Sequence, residues 1–319
     1  MTPVLRTVLL LLLAWLAANV LHGLWIGVRR RFWEREIRRD AAGVAADEGA
    51  YTLGDGPVAV LWIHGFADTP RTFGRMAERL AASGGFTCRA MRLPGAAEPL
   101  AAAARQTQET WLAAVAQEAE ALRRSHRQVW LLGHSLGGTL ALAATLRDPA
   151  LADGLILLAP LLEVSRRRSP VLPPRTWFRI ARVALAGSPV FESCFRVNAV
   201  AADDPGFAYH RDRFIPFATY RSLFALLDEL APRAGDVRVP LFAALAAEDR
   251  VVDTPAAARW LERVASPKDV RVLPDRAHAL PLEAGWQALT DEIGRFLRVG
   301  APRLARAGRC VIMGAGENA

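Results

Sequence analysis

Apolar positions along this chain fall into two kinds of run. Short, almost wholly apolar segments occur at Ala59–Ile63, Cys88–Met91, Val129–Leu132, Leu155–Leu158, Leu241–Leu245 and Val270–Leu273. They read as buried strands, because a strand with one wet face would alternate polar and apolar residues. Between them lie helical patterns near Phe73–Ala82, Thr110–Arg124, Gly138–Leu146, Pro255–Val264 and Ala284–Leu297. Strands alternating with helices predict an α/β architecture built on a mostly parallel sheet. About 250 residues can bury one large core, so a single domain over residues 41–300 is expected.

Two stretches break the alternation. Leu161–Asp236 contains Pro170, Pro173, Pro174, Pro205 and Pro216, the basic run Arg166–Arg168, and aromatics that include Trp177, Phe178, Phe214, Phe217, Tyr220 and Phe224. A structureless loop of that length inside a compact domain is improbable, so a small, mostly helical cap is expected. At the other end, Thr7–Val28 holds no Asp, Glu, Lys or Arg and is long enough to cross a hydrocarbon core of about 30 Å. It reads as a transmembrane helix within an anchor segment, residues 1–40. A cleaved signal peptide is the alternative, disfavoured because the basic cluster follows the apolar run and no small-x-small pattern closes it.

Arg29, Arg30, Arg31, Arg35, Arg38 and Arg39 flank this helix on one side, against Arg6 on the other. That asymmetry predicts a catalytic domain on the cytoplasmic face. Trp25 and Trp33 suit an interfacial belt, whereas Asn19 and His22 are costly in hydrocarbon and favour a partner or a shallow end. The formal net charge of +8 brings no recognisable nucleic-acid module with it. The juxtamembrane arginines suit anionic lipid instead. Three cysteines form no disulfide framework, and Cys88 reads as core. No metal-ligand spacing or dinucleotide fingerprint is present, so no cofactor is implied. The tail, residues 301–319, is small-residue-rich and basic and is expected to lack order.

The candidate chemistry centres on Gly133-His134-Ser135-Leu136-Gly137, between the apolar run Gln128–Leu132 and the small-residue segment Gly138–Ala144. A serine hydroxyl is a weak nucleophile unless the fold holds it on a tight strand-to-helix turn, where flanking glycines relieve crowding. Ser135 reads as such a nucleophile, with a serine-capped glycine turn as the plainer alternative. Of six histidines, His22 lies in the apolar N-terminal run, His64 and His134 in glycine motifs, His126 before the strand leading to Ser135, and His210 in the irregular insertion. His278 remains, in a loop beyond a late strand, on the sheet edge where chemistry gathers. Asp249, following Val239–Ala246, is the expected carboxylate that orients His278; its neighbour Glu248 competes, and Glu163 is a further alternative. Asp253, ahead of Thr254-Pro255, reads as a helix cap. Oxyanion donors are expected from the amides of Leu136 and of Phe66, in the loop after Val58–Ile63. His64 is expected to brace that loop, with Asp68 beside it and Thr69-Pro70 starting a helix.

His64-Gly65-Phe66-Ala67-Asp68-Thr69-Pro70, Arg92-Leu93-Pro94-Gly95, Thr110-Trp111 and Gly133-His134-Ser135-Leu136-Gly137-Gly138 together resemble bacterial carboxylesterases and monoacylglycerol lipases, over roughly Tyr51 to Val299. The resemblance implies an α/β-hydrolase fold with a cap, the chain order Ser, Asp, His, and an acyl-enzyme route to hydrolysis of a small acyl ester or lipid. The cap aromatics would then line an acyl cleft over Ser135. One departure concerns the Leu-Pro-Gly turn, where a histidine often follows in the family and Ala96 stands here. Thioesterase, acyltransferase and peptidase chemistry use the same constellation, and a non-catalytic lipid- or partner-binding protein of this fold is the remaining alternative.

Overall fold

The short apolar runs pair side by side in the computed structural model, which describes residues 2–169, 171–193, 198–201, 203–299 and 309–311. In chain order the elements are α1 (Pro3–Glu36), β1 (Tyr51–Leu53), β2 (Val58–Ile63), α2 (Gly74–Ala82), β3 (Phe86–Met91), α3 (Leu100–Ala103), α4 (Gln108–Arg123), β4 (Gln128–His134), α5 (Leu136–Arg147) and β5 (Gly154–Leu158). There follow α6 (Pro174–Ala184), β6 (Val190–Glu192), β7 (Asn198–Ala201), β8 (Asp204–His210), β9 (Phe214–Pro216), α7 (Phe217–Leu230), β10 (Leu241–Ala246), α8 (Thr254–Glu262), β11 (Lys268–Leu273), α9 (Trp286–Val299) and β12 (Arg309–Val311). The main sheet runs β1-β3-β2-β4-β5-β10-β11-β12. Every neighbouring pair is parallel except β1 with β3.

Successive side chains of a strand point to opposite faces, which explains why the strands are apolar throughout. Leu61, Ile63, Val129 and Leu131 enter a core shared with α4, α5, α7 and α8. Their neighbours Val60, Trp62, Trp130 and Leu132 enter a second core shared with α2 and α9. Cys88 is fully buried in the second core.

The insertion differs from the mostly helical cap expected. It contains α6, but also two antiparallel pairs, β6 with β9 and β7 with β8. Short β-branched or aromatic runs such as Val190-Phe191 and Phe214-Ile215 favour strand pairing over helix. The last helix of the stretch, α7, belongs to the core: Leu223, Leu226, Leu227 and Leu230 are buried with the leucines of α5. Cys194 lies outside the described residues, as does the tail apart from 309–311, which pair with β11.

The N-terminal helix α1 is long and apolar enough to cross a membrane. Residues 2–18 are exposed, and contact with the cap begins at Asn19. Its carboxamide donates to the Ala184 carbonyl (3.1 Å) and accepts from the Gly187 amide (2.8 Å). Further along, Ile26 and Trp33 pack with Leu100, Val190 and Phe214. Arg29 pairs with Glu192 at 2.7 Å, and Glu192 also binds Arg213. The polar residue that is costly in hydrocarbon is thus satisfied by the protein itself.

Candidate active site

Ser135 sits between the end of β4 and the first turn of α5 with φ 54° and ψ −119°. A non-glycine residue in such a conformation carries roughly 1–3 kcal/mol of strain, held only where surrounding contacts over-determine it. Those contacts are present. A Cβ on Gly133 would strike the backbone of Gly137 and Gly138, and one on Gly137 would strike the Ile63 carbonyl of β2. The Ser135 amide donates to the Leu158 carbonyl (2.9 Å), and the Ser135 carbonyl accepts from Gly138 (3.0 Å) and Leu161 (3.1 Å). Glycine spacing in the motif is therefore a packing requirement between β2, β4 and α5 as well as a turn requirement.

Two loops from the same sheet edge meet this serine. His278, beyond β11, approaches Ser135 Oγ with Nε2 at 3.0 Å and Asp249 Oδ2 with Nδ1 at 2.7 Å. Asp249, beyond β10, is buried, and its Oδ1 accepts from the amides of Val251 (2.7 Å) and Val252 (2.8 Å). Burial pushes the Asp249 carboxyl up, but His278 and the two amides outweigh it and hold the group below the ordinary carboxylate range. Glu248 instead faces Arg167 at 3.3 Å, and Glu163 accepts from the amide of Val164. Asp253 caps α8, accepting from the Ala256 amide at 2.9 Å. Such an arrangement fixes Nδ1 as the protonated nitrogen of His278 and leaves Nε2 to accept a proton.

The amide of Leu136 opens α5, and that of Phe66 lies in the loop after β2. Neither donates to an acceptor among the described residues. His64 braces this loop: Nδ1 donates to the Gly65 carbonyl and Nε2 accepts from the Leu93 amide, each at 3.0 Å. Burial lowers its pKa, so the neutral ring that these bonds require is the favoured form. Thr69 does not cap the short helix after it; its hydroxyl donates to Glu48, while Asp68 accepts from the Thr69 amide. Where a histidine often follows the Leu-Pro-Gly turn, Arg92 closes the loop by donating to the Ala96 carbonyl (2.9 Å) and pairing with Glu98.

One contributor was invisible in the sequence. His134 Nε2 donates to the His278 carbonyl at 2.9 Å, so the residue before the serine steadies the loop that carries the histidine. Burial and the neighbouring His278 depress the His134 pKa to about 4. Its only sequence signal was its position beside Ser135.

Ser135 and His278 open into a cavity of about 630 Å³. Phe66, Leu161, Trp177, Phe178, Tyr220, Leu223 and Phe224 form apolar walls, with Asp68, Arg211 and Glu283 among the polar groups. Phe178 packs on Tyr220 and Phe224, ring centres 5.9 and 5.3 Å apart, so the cap aromatics are both packing and lining. A serine, a histidine base and a carboxylate joined in line beneath an apolar cleft are equipped for acyl transfer.

A family model described as Hydrolase_4, serine aminopeptidase, S33, matches residues 57–285. The chain belongs to this family. A thermostable monoacylglycerol lipase from Bacillus sp. (strain H-257) is 35% identical over 88 residues, a match spanning 28% of this chain and 35% of that protein. Among solved structures, a metagenome-derived lipolytic enzyme superposes with TM-score 0.65 at 20% identity, covering 80% of this chain and 99% of its own. Monoacylglycerol lipase from Paleococcus ferrophilus gives 0.64 at 17%, covering 78% and 97%. A soluble variant of monoglyceride lipase from Saccharomyces cerevisiae gives 0.62 at 14%, covering 78% and 90%. At these identities the structural likeness is one of fold, that of the α/β-hydrolases.

Proposed function

We propose that this Hydrolase_4 member is a membrane-anchored serine esterase that cleaves carboxylic esters of the monoacylglycerol kind. Residues 1–40 form its anchor and 41–300 its catalytic domain, on the cytoplasmic side. The observation that carries the reading is the unbroken chain Asp249–His278–Ser135 opening into an apolar cavity. His278 Nε2 takes the hydroxyl proton as Ser135 Oγ attacks the ester carbonyl, and the amides of Leu136 and Phe66 receive the oxyanion. The imidazolium returns the proton to the departing alcohol. Water then attacks the acyl carbon as His278 takes its proton; the bond from the acyl carbon to Ser135 Oγ breaks, His278 returns the proton to Oγ, and the acid leaves. An apolar acyl chain suits the aromatic walls. The anchor reading is supported by the apolar length of α1 and by the arginines that follow it.

The test is an activity panel of p-nitrophenyl esters, monoacylglycerols, acyl-CoA and aminoacyl arylamides, run on detergent-solubilised protein beside Ser135→Ala. Ester turnover, with fluorophosphonate labelling abolished in the variant, is the expected result. Undiminished labelling of Ser135→Ala would put the nucleophile elsewhere. Preference for aminoacyl arylamides would make the chain a peptidase.

A further inference from the structure

The way α1 meets the cap constrains where the cap lies. Only residues 3–18 of α1 stand clear of the domain, a length of about 24 Å at 1.5 Å per residue. A hydrocarbon core of about 30 Å needs about 20 residues, so the membrane must continue along α1 past Asn19. The free side of the next turns permits this, since Val20, Leu21, Leu24, Trp25 and Val28 are exposed. Their opposite side is covered by the cap. Gly23 and Gly187 approach so closely that a Cβ on either would clash with the other segment's backbone, and Asn19 bonds both Ala184 and Gly187. Any leaflet that surrounds these turns of α1 therefore also surrounds the end of α6.

The surface of α6 is made for such a place. Ile180 and Val183 lie on its outer side, 42 and 68% exposed, Val171 just ahead of the helix is 80% exposed, and Trp177, 43% exposed, stands at the border between this side and the cavity that it also lines. Arg179 and Arg182 flank this stripe and are exposed, as long basic side chains reaching for phosphates would be. The inner side, through Phe178 and Ala181, lines the Ser135 cavity. Resting on the reading of α1 as an anchor, we propose that the outer face of α6 and residues 185–189 are immersed in the leaflet that holds α1. The Ser135 cavity then receives its acyl ester laterally from the bilayer.

The full chain with Cys194→Ser and Cys310→Ser, reconstituted in phosphatidylcholine–phosphatidylglycerol vesicles, tests this. An NBD label at Val183→Cys should lose most of its emission when doxyl-labelled phosphatidylcholine is included. The same label at Glu262→Cys, at the far end of α8 from the cap, should keep it. Resistance to a carbonate wash reports the anchor alone. A carbonate-resistant chain whose label at 183 is as unquenched as that at 262 overturns immersion and leaves the anchor standing, whereas release by carbonate overturns both. In a second arm, Ile180→Asp with Val183→Asp should lower turnover of vesicle-borne monoacylglycerol about tenfold or more while water-soluble p-nitrophenyl acetate stays within about twofold. Equal effects on both substrates would overturn lateral delivery.

Discussion

Acidification should destabilise this fold through His134. The ring is buried beside His278 and donates Nε2–H to the His278 carbonyl, and its pKa is depressed to about 4 from an ordinary 6.5. Between those values the unfolded chain binds a proton that the native one refuses. Stability from the neutral ring is thus fully present above about pH 6.5 and is lost as pH falls toward 4. The gap of about 2.5 pH units, at about 1.36 kcal/mol each, amounts to about 3 kcal/mol. For a domain of about 250 residues that is a fall in melting temperature of roughly 6–12 °C. His64, also buried with a lowered pKa, acts in the same direction. The assay is thermal unfolding of the full chain in detergent micelles from about pH 7.5 to about pH 4, comparing wild type with His134→Gln, which lacks a titrating ring. The variant should start less stable but lose roughly 6–12 °C less on acidification. Equal losses in the two proteins would refute the argument.

Asp249→Asn should lower ester kcat by about 10⁴-fold with the fold intact, while Glu248→Gln and Glu163→Gln stay within about twofold; a nearly silent Asp249→Asn in steady-state kinetics would move the acid elsewhere. Gly137→Ala drives a Cβ into the Ile63 carbonyl and should cost about 3 kcal/mol or more in denaturant unfolding, so a wild-type midpoint would contradict the packing described. Each added acyl methylene buried in the cavity contributes about 0.8 kcal/mol, about fourfold in kcat/KM, until the cleft is full. A response flat in chain length would separate the cavity from acyl binding.

Much of this was legible in the residues because parallel strands and tight turns leave strong local marks. Six apolar runs became adjacent strands of one sheet, and Asp253 caps the helix its neighbours Thr254-Pro255 announce. Asp249 could be favoured over Glu248, but only the fold separates them: the turn directs one carboxylate to His278 and the other toward Arg167. What stayed hidden depends on contacts across long stretches of chain. Asn19 was conspicuous as a polar residue in an apolar run, yet its partners lie at 184 and 187. The histidine of the glycine motif gave no hint that it would hold a carbonyl 144 residues away. In the insertion, prolines and aromatics marked a separate structure without distinguishing α7, which serves the main core, from α6, which roofs the cavity.

The junction at Gly133, Gly137 and Ile63 also bears on how such a protein can change. The backbone atoms that hold Ser135 in its unusual conformation fasten β2, β4 and α5 together. Substitutions there cannot exchange stability for activity, since both go at once, and the usual route of trading one for the other is closed. Drift or directed evolution toward new substrates must work through the cap, where α6 meets the cavity with side chains that the central sheet does not need. In that sense the molecule is divided into a part that selection can only preserve and a part that it can revise.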